Sequence, residues 1–272
     1  MQVTQITSRN PFVPDVDEAW HHHALAFVLA KRNIKARYTQ TLLGSVWIVI
    51  QPILLTGVFT LIFGALLAVP TDGMPYMIFA FSGTVIWSTF QRALSDTGMS
   101  LATNSVIVMK VYFPRILVPI STILTALMDL IPVYILLLIF IMAKGWFSGW
   151  LALLSPLFLL LSLIIALGVG FAVTALDAVF RDVRLVVPTV LQLAMYLTPV
   201  MFSESIAPHR LRWLFHINPM LGIVEGFRWT LVAHAKMPAP ADLTWSVAFS
   251  IISLVGGVMM FTRLENFAVD RI

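Results

Sequence analysis

The 272-residue chain is 59% hydrophobic and 11% charged, with a formal net charge of +4 and a mean hydropathy of +0.92, whereas a soluble domain carries about 25% charged residues. So little charge cannot cover a water-facing surface, which excludes a soluble globular domain and a disordered chain and identifies a membrane protein. Cysteine is absent, which excludes thiol chemistry, and the basic residues are too few for a nucleic-acid face, so they are expected to set membrane orientation.

The first forty residues hold Asp15, Asp17, Glu18, His21, His22, His23, Lys31, Arg32, Lys35 and Arg37, with no apolar run like that of a signal peptide. This start is expected to remain and to lie in the cytoplasm. Within it, 20–38 reads as a helix lying on the membrane surface, because Trp20, Ala24, Phe27, Ile34 and Tyr38 share one side at about 100° per residue. Lys31 and Lys35 fall beside that stripe and must snorkel. The three consecutive histidines point about 100° apart on a helix and do not converge on one metal ion.

Residues 42–69 carry no charge across 28 positions, more than the ~20 a helix needs to cross ~30 Å of hydrocarbon. Pro70, Asp72, Gly73 and Pro75 then turn the chain into a second apolar segment, 75–91. The third span is 116–143, with Asp129 its only charge, and Lys144, Gly145 and Gly149 connect it to the fourth, 150–179. A fifth covers 185–202 and a sixth 244–261. Six spans place both termini on one side, and 12 of the 17 Lys and Arg fall there, so that side is expected to be cytoplasmic. The expected fold is therefore an all-α polytopic membrane protein, a single transmembrane domain of six transmembrane helices.

Two connections stand out. In 96–115, Asn104-Ser105 can cap a short helix over 106–113 ended by Pro114, whose apolar side chains have nothing local to bury against, as on a binding surface. In 203–243, residues 220–232 are apolar but too short to cross and contain Glu225 and Arg228. A pair of re-entrant helices turning at Asn218-Pro219 on the extracytoplasmic face is the expected arrangement.

Nucleotide and catalytic motifs of the P-loop, dinucleotide, zinc-protease and serine-hydrolase kinds are absent from the sequence, so the chain is not expected to hydrolyse ATP. Asp129, near the middle of a span, would cost at least ~2.5–3.5 kcal/mol facing lipid; it reads either as a proton or substrate site or as a carboxylate bonded to a neighbouring helix. Of the aromatic residues, Trp47, Trp146, Trp150 and Trp245 fit an interfacial belt. Phe59, Phe63, Tyr196 and Phe202 lie within or at the outer ends of spans one and five, where they read as lipid-facing packing or as faces on which sugar rings could stack.

Four motifs occur in order. Arg37-Tyr38 through Leu42-Leu43-Gly44-Ser45-Val46-Trp47 to Gln51-Pro52, and Lys110-Val111-Tyr112-Phe113-Pro114-Arg115, are followed by Arg181-Asp182-Val183-Arg184 with Pro188 and Tyr196-Leu197-Thr198-Pro199-Val200. Asn218-Pro219-Met220 with Glu225-Gly226-Phe227-Arg228-Trp229 closes the series. Together they resemble the permease subunits of ABC-2 type transporters that export polysaccharides such as O-antigen, capsule or teichoic acid. One departure is Asp177, where that family often has Asn; it is expected to pair with Arg181 at i+4.

The resemblance implies a homodimeric channel in a bacterial inner membrane, exporting a lipid-linked polysaccharide and driven by two copies of a separate ATPase, which holds the ATP and Mg; this chain binds no cofactor and no nucleic acid. It implies coupling to the ATPase through Asn104, Val108, Met109, Lys110, Tyr112, Phe113 and Arg115, and contact of the lipid diphosphate with Lys31, Arg32, Lys35, Arg37 and Tyr38 on the interface helix. It further implies a channel lined by Phe59, Phe63, Tyr196 and Phe202, and a gate at Glu225 and Arg228. The alternative is an intramembrane transferase acting on a lipid-linked sugar, for which His209, His216, Glu204 and Glu225 would supply the acid-base groups; a proton-coupled carrier would need more intramembrane carboxylates.

Overall fold

In the computed structural model the described residues are 20–111, 113–206 and 208–269. Their regular structure is helical, with one isolated bridge between Phe147 and Val232. α1 (His23–Tyr38) ends at a break where Gln40 and Gly44 take positive φ. A 3₁₀ turn, Gly44–Val46, opens α2 (Trp47–Phe59), which continues as a π-helix over Thr60–Leu66. Pro75, with φ −56°, presets the entry to α3 (Tyr76–Gly98). Two short helices follow, α4 (Ser100–Thr103) and α5 (Ser105–Lys110). α6 (Leu117–Ala143) stops where Gly145 adopts φ 71°, a conformation free of strain only without a Cβ. After a 3₁₀ stretch, Gly149–Leu154, come α7 (Ser155–Asp177), α8 (Val183–Tyr196), α9 (Trp213–Ile217), α10 (Met220–Leu231) and α11 (Pro240–Val269).

Among the described residues four helices are long and apolar enough to cross a membrane: Gly44–Leu66, Leu117–Ala143, Gly149–Asp177 and Pro240–Leu264. They match the expected spans 42–69, 116–143, 150–179 and 244–261. The segments expected as spans two and five are helices of another kind. α3 buries every residue from Ile78 to Trp87, so protein sheathes it on all sides. Protein contact is what lets it carry polar groups such as Ser82, whose Oγ donates to the Ile78 carbonyl at 2.9 Å, and it runs on past 91 to Gly98. α8 has 14 residues, about 21 Å of helix, with Leu185, Val186, Val190 and Leu193 exposed.

α3 lies at the centre, against α2, α6, α7 and α10, and their apolar side chains form the main core. α7 and α11 cross at a glycine seam, where a Cβ on Gly257 would lie 1.9 Å from the Gly168 carbonyl oxygen; small residues allow this approach of backbones. A second apolar cluster, Leu29, Leu101, Phe113, Val118, Phe171 and Phe261, ties α1 and the 96–115 segment to α6, α7 and α11.

That second cluster shapes the 96–115 segment differently from expectation. The helix stops at Lys110, and Val111 is extended (φ −128°, ψ 130°), because Phe113 turns inward to 7% exposure. Asn104 sits at the helix start without capping it; its amide donates to the Ser100 carbonyl at 2.7 Å. The expected Asp177–Arg181 pair also gives way: helix α7 ends at Asp177, the chain turns, and the carboxylate receives Nε and Nη2 of Arg184 at 2.6 and 3.0 Å. Tyr112 and residues 1–19 lie outside the described residues.

Candidate functional site

At the α1 end a compact charge cluster joins three helices. Asp129, 4% exposed on α6, accepts through one oxygen from Arg37 Nη1 at 2.7 Å and Tyr38 Oη at 3.2 Å, with Arg92 Nη1 at 3.5 Å. The second Nη of Arg37 is bonded to Asp96 at the end of α3. Two arginines against two carboxylates leave the cluster formally neutral, the condition under which charge is tolerated at such depth. One turn earlier on α1, Arg32 donates to Asn104, so the same helix reaches the start of α5. A cavity of about 530 Å³ opens between these two ties, lined in part by Arg32, Arg37, Asp96, Asn104 and Thr122. Of the cations expected at a diphosphate, Lys31 and Lys35 are exposed, whereas Arg32 and Arg37 are engaged within the protein. The buried face of α1 is Ala26, Leu29 and Ala30; Trp20, Ala24 and Phe27 face outward.

α5 divides its side chains between two sides. Ile107 and Val108 pack on the second cluster, while Val106 (60%), Met109 (59%) and Val111 (55%) are exposed together with Lys110. Asn104 and Phe113 are buried, and Arg115 is half-buried.

At the opposite end, the 203–243 segment folds back over α3 as α9 and α10. Arg228 is 2% exposed, and its hydrogen bonds go to main-chain carbonyls and one serine hydroxyl rather than to Glu225. Nε donates to the Phe79 carbonyl and Ser82 Oγ at 3.2 and 3.3 Å, Nη2 to the carbonyls of Phe79 and Val200 at 3.0 Å each, and Nη1 to that of Pro199. The guanidinium stacks 3.6 Å above the Phe79 ring. Gly83 makes room, since a Cβ there would stand 2.3 Å from Nη2. Half-buried Glu225 lines a cavity of about 270 Å³ with Asp72, Ser203, Glu204, Arg228 and Lys236. Asp72 holds that rim by accepting from Ser203 Oγ at 2.6 Å and Lys236 Nζ at 3.2 Å.

His216 on α9 meets Asp242 of α11 at 2.8 Å, with Glu204 at 4.0 Å, and the hydrogen bond to Asp242 raises its pKa above the ordinary histidine value. The side chain of His209 is outside the described set. The segment is also sewn to the turn between α6 and α7, where the Ala233 N–H donates to the Trp146 carbonyl at 2.7 Å and the Ser148 N–H to that of Leu231 at 3.1 Å.

The four aromatics expected along a channel scatter within one chain. Phe59 is buried and meets Phe63 edge-to-face at 6.1 Å, Phe202 rests on Phe215 at 6.3 Å, and Tyr196 is 51% exposed. Among the described residues no group of three or more His, Asp or Glu is arranged to hold a metal ion. Sequence reasoning missed Arg37 and Arg92 as partners of Asp129, Asp96 as the second acceptor of Arg37, and Gly83 as the space for Arg228. Only the isolation of Asp129 in an apolar run signalled that a partner had to exist.

This architecture can be set beside known proteins. The chain is similar to the O-antigen export system permease protein RfbA of Myxococcus xanthus, 27% identical over 256 residues, covering 93% of this chain and 97% of that protein. It is 24% identical over 210 residues to a protein of the same name from Klebsiella pneumoniae, 75% of this chain and 78% of that one. It is 22% identical over 246 residues to the polysialic acid transport protein KpsM of Escherichia coli, with 86% and 91% covered. A family model described as ABC-2 type transporter matches residues 24–232, which hold α1, the charge cluster, α5 and the Arg228 anchor: the chain belongs to the ABC-2 type transporter family.

Proposed function

We propose that the chain is the membrane subunit of a bacterial glycan exporter, moving a lipid-linked polysaccharide such as O-antigen on undecaprenyl diphosphate across the inner membrane. The observation that carries this reading is the similarity, over 93% of the chain, to a permease named for O-antigen export. ATP hydrolysis belongs to a separate ATPase, two copies of which serve a homodimer of this chain. α5 is the natural docking element, because exposed Val106, Met109 and Val111 beside Lys110 form an apolar patch left uncovered by the described residues.

α3 and α8 complete six spans with both termini in the cytoplasm, an arrangement supported by the bias of Lys and Arg toward that face. α1 lies at the cytoplasmic surface with Trp20 and Phe27 toward lipid, and exposed Lys31 and Lys35 meet the anionic headgroup, while Arg37 and Tyr38 orient the helix through Asp129. A push on α5 passes to α1 through Arg32 and Asn104 and to α3 and α6 through Arg37, so the motor's stroke has a path of contacts into the spans. α9 and α10 re-enter the outer face, where Glu225 borders the exit and Arg228 anchors the gate.

Co-purification and export test this together. The chain should retain a stoichiometric ATPase in detergent, and its deletion should leave completed glycan on the inner face of the membrane. Glycosyl transfer by the isolated chain would instead establish the transferase reading.

A further inference from the structure

The backbone just beyond α8 poses a problem that the side chains of other elements solve. α8 ends at Tyr196, and the following Thr198, Val200 and Met201 are non-helical and no more than 3% exposed. Carbonyls in such a stretch have no ladder partner and no bulk water, and each one left unbonded is costly. Here the Thr198 carbonyl accepts from the Val200 N–H at 2.7 Å within the turn, and the others are met from outside. Asn218 Nδ2 donates to the Leu197 carbonyl at 3.1 Å and to Thr198 Oγ1 at 2.7 Å. Arg228 donates to the carbonyls of Pro199 and Val200, and Tyr76 Oη to that of Met201 at 2.7 Å.

The same Arg228 is bonded to Phe79 on α3 at 3.0 Å, and Asn218 Oδ1 accepts from the Met220 N–H at 3.0 Å, fixing the start of α10. We propose that Asn218, Arg228 and Tyr76 are positioning residues that form a side-chain cap on the broken end of α8, clamping α8, α10 and the outer half of α3 into one block that moves as a unit during transport. The planar guanidinium suits this task, since its fork reaches carbonyls on two elements at once where an ammonium is a single point. Gly83 belongs to the device, because a Cβ there would also come within 2.9 Å of the Val200 carbonyl oxygen. The gate then does not hinge between α10 and α3.

The transport part of this proposal rests on the export reading above, so the test has an arm that does not. The sequence has no cysteine, and a Thr198→Cys/Asn218→Cys pair in the full transporter replaces a 2.7 Å hydrogen bond by a bond that oxidation can make and reduction can break. The pair should cross-link on addition of diamide, to the same extent with and without ATP. Asn218→Ala, Arg228→Lys and the reduced cysteine pair should export glycan about tenfold less than the unsubstituted chain, as expected when the hydrogen bonds joining this turn to α10 are lost, and oxidation of the pair should bring export back to within about twofold.

Failure to cross-link, a yield that changes with ATP, undiminished export by the reduced pair, or export abolished by oxidation would each overturn the clamp. Absence of glycan export by the unsubstituted chain would sink the export reading instead, and the cross-link yields would still judge the block.

Discussion

Arg37 and Asp129 are 92 positions apart in the chain and 2.7 Å apart in space, a contact that ties the end of α1 to the middle of α6. Asp129 is 4% exposed, so losing its closest donor leaves a carboxylate served only by Tyr38 and a more distant Arg92. Arg37→Gln is expected to cost about 3 kcal/mol of stability, the lower end for breaking a buried pair because Arg92 remains. Arg37→Gln/Asp129→Asn should cost less than the sum of the single changes. Thermal unfolding of the four proteins in one detergent checks both statements.

Met109 and Phe113 lie four residues apart on the segment proposed to dock a motor, yet they should fail in different ways. Met109 is 59% exposed, so Met109→Glu is expected to change stability by no more than about 0.5 kcal/mol while releasing the ATPase. Phe113 is 7% exposed among Leu101, Val118 and Phe171, and Phe113→Ala should cost about 3–5 kcal/mol. Melting curves beside pull-down of the ATPase separate the two effects.

His216 makes stability depend on pH. Its hydrogen bond to Asp242 raises the folded-state pKa above 6.5, so the protonated ring favours the folded state. That stabilisation is complete below the unfolded value and is lost as pH climbs through the raised one. Because the side chain is 45% exposed, the effect is screened, and His216→Gln should lower Tm by only about 1–2 °C at mildly acidic pH. The gap should close at alkaline pH, as scanning calorimetry across the range would register.

Adjacent glycines on α11 offer a built-in control. A Cβ on Gly257 would meet the Gly168 carbonyl oxygen at 1.9 Å, whereas one on Gly256 meets nothing within 4 Å. Gly257→Ala should force α7 and α11 apart and cost about 1–3 kcal/mol as overpacking does, while Gly256→Ala should be neutral or stabilising, since alanine suits a helix better than glycine. Denaturation midpoints of the two variants give the comparison.

The apolar runs were legible because crossing hydrocarbon demands unbroken length, and four of them reappear as helices with that property. Pro75, Gly145 and Asn218-Pro219 marked turns through local backbone chemistry and fall at helix ends as expected. What the sequence hid was pairing at a distance. Asp129 called for a bond to a neighbouring helix without naming Arg37, and Arg228, expected at a gate with Glu225, gives its donors to the carbonyls beyond α8. Local rules also misled where tertiary burial prevailed: Phe113 is drawn inward and ends α5 early, and Asp177 reaches Arg184 because the helix that would have presented Arg181 to it has already stopped.

The brevity of α8 has a consequence for the surrounding lipid. If α8 spans as proposed, its fourteen residues leave the helical part about 9 Å short of a typical hydrocarbon core, and place the capped turn beyond it at a depth where acyl chains would otherwise be. Where that turn is not covered by protein, lipid must thin toward it, at a fraction of a kcal/mol for each ångström. Acyl-chain length thereby becomes a setting of the machine: in vesicles of longer-chain phospholipid the transporter should turn over more slowly, and in shorter-chain lipid the strain around α8 should relax.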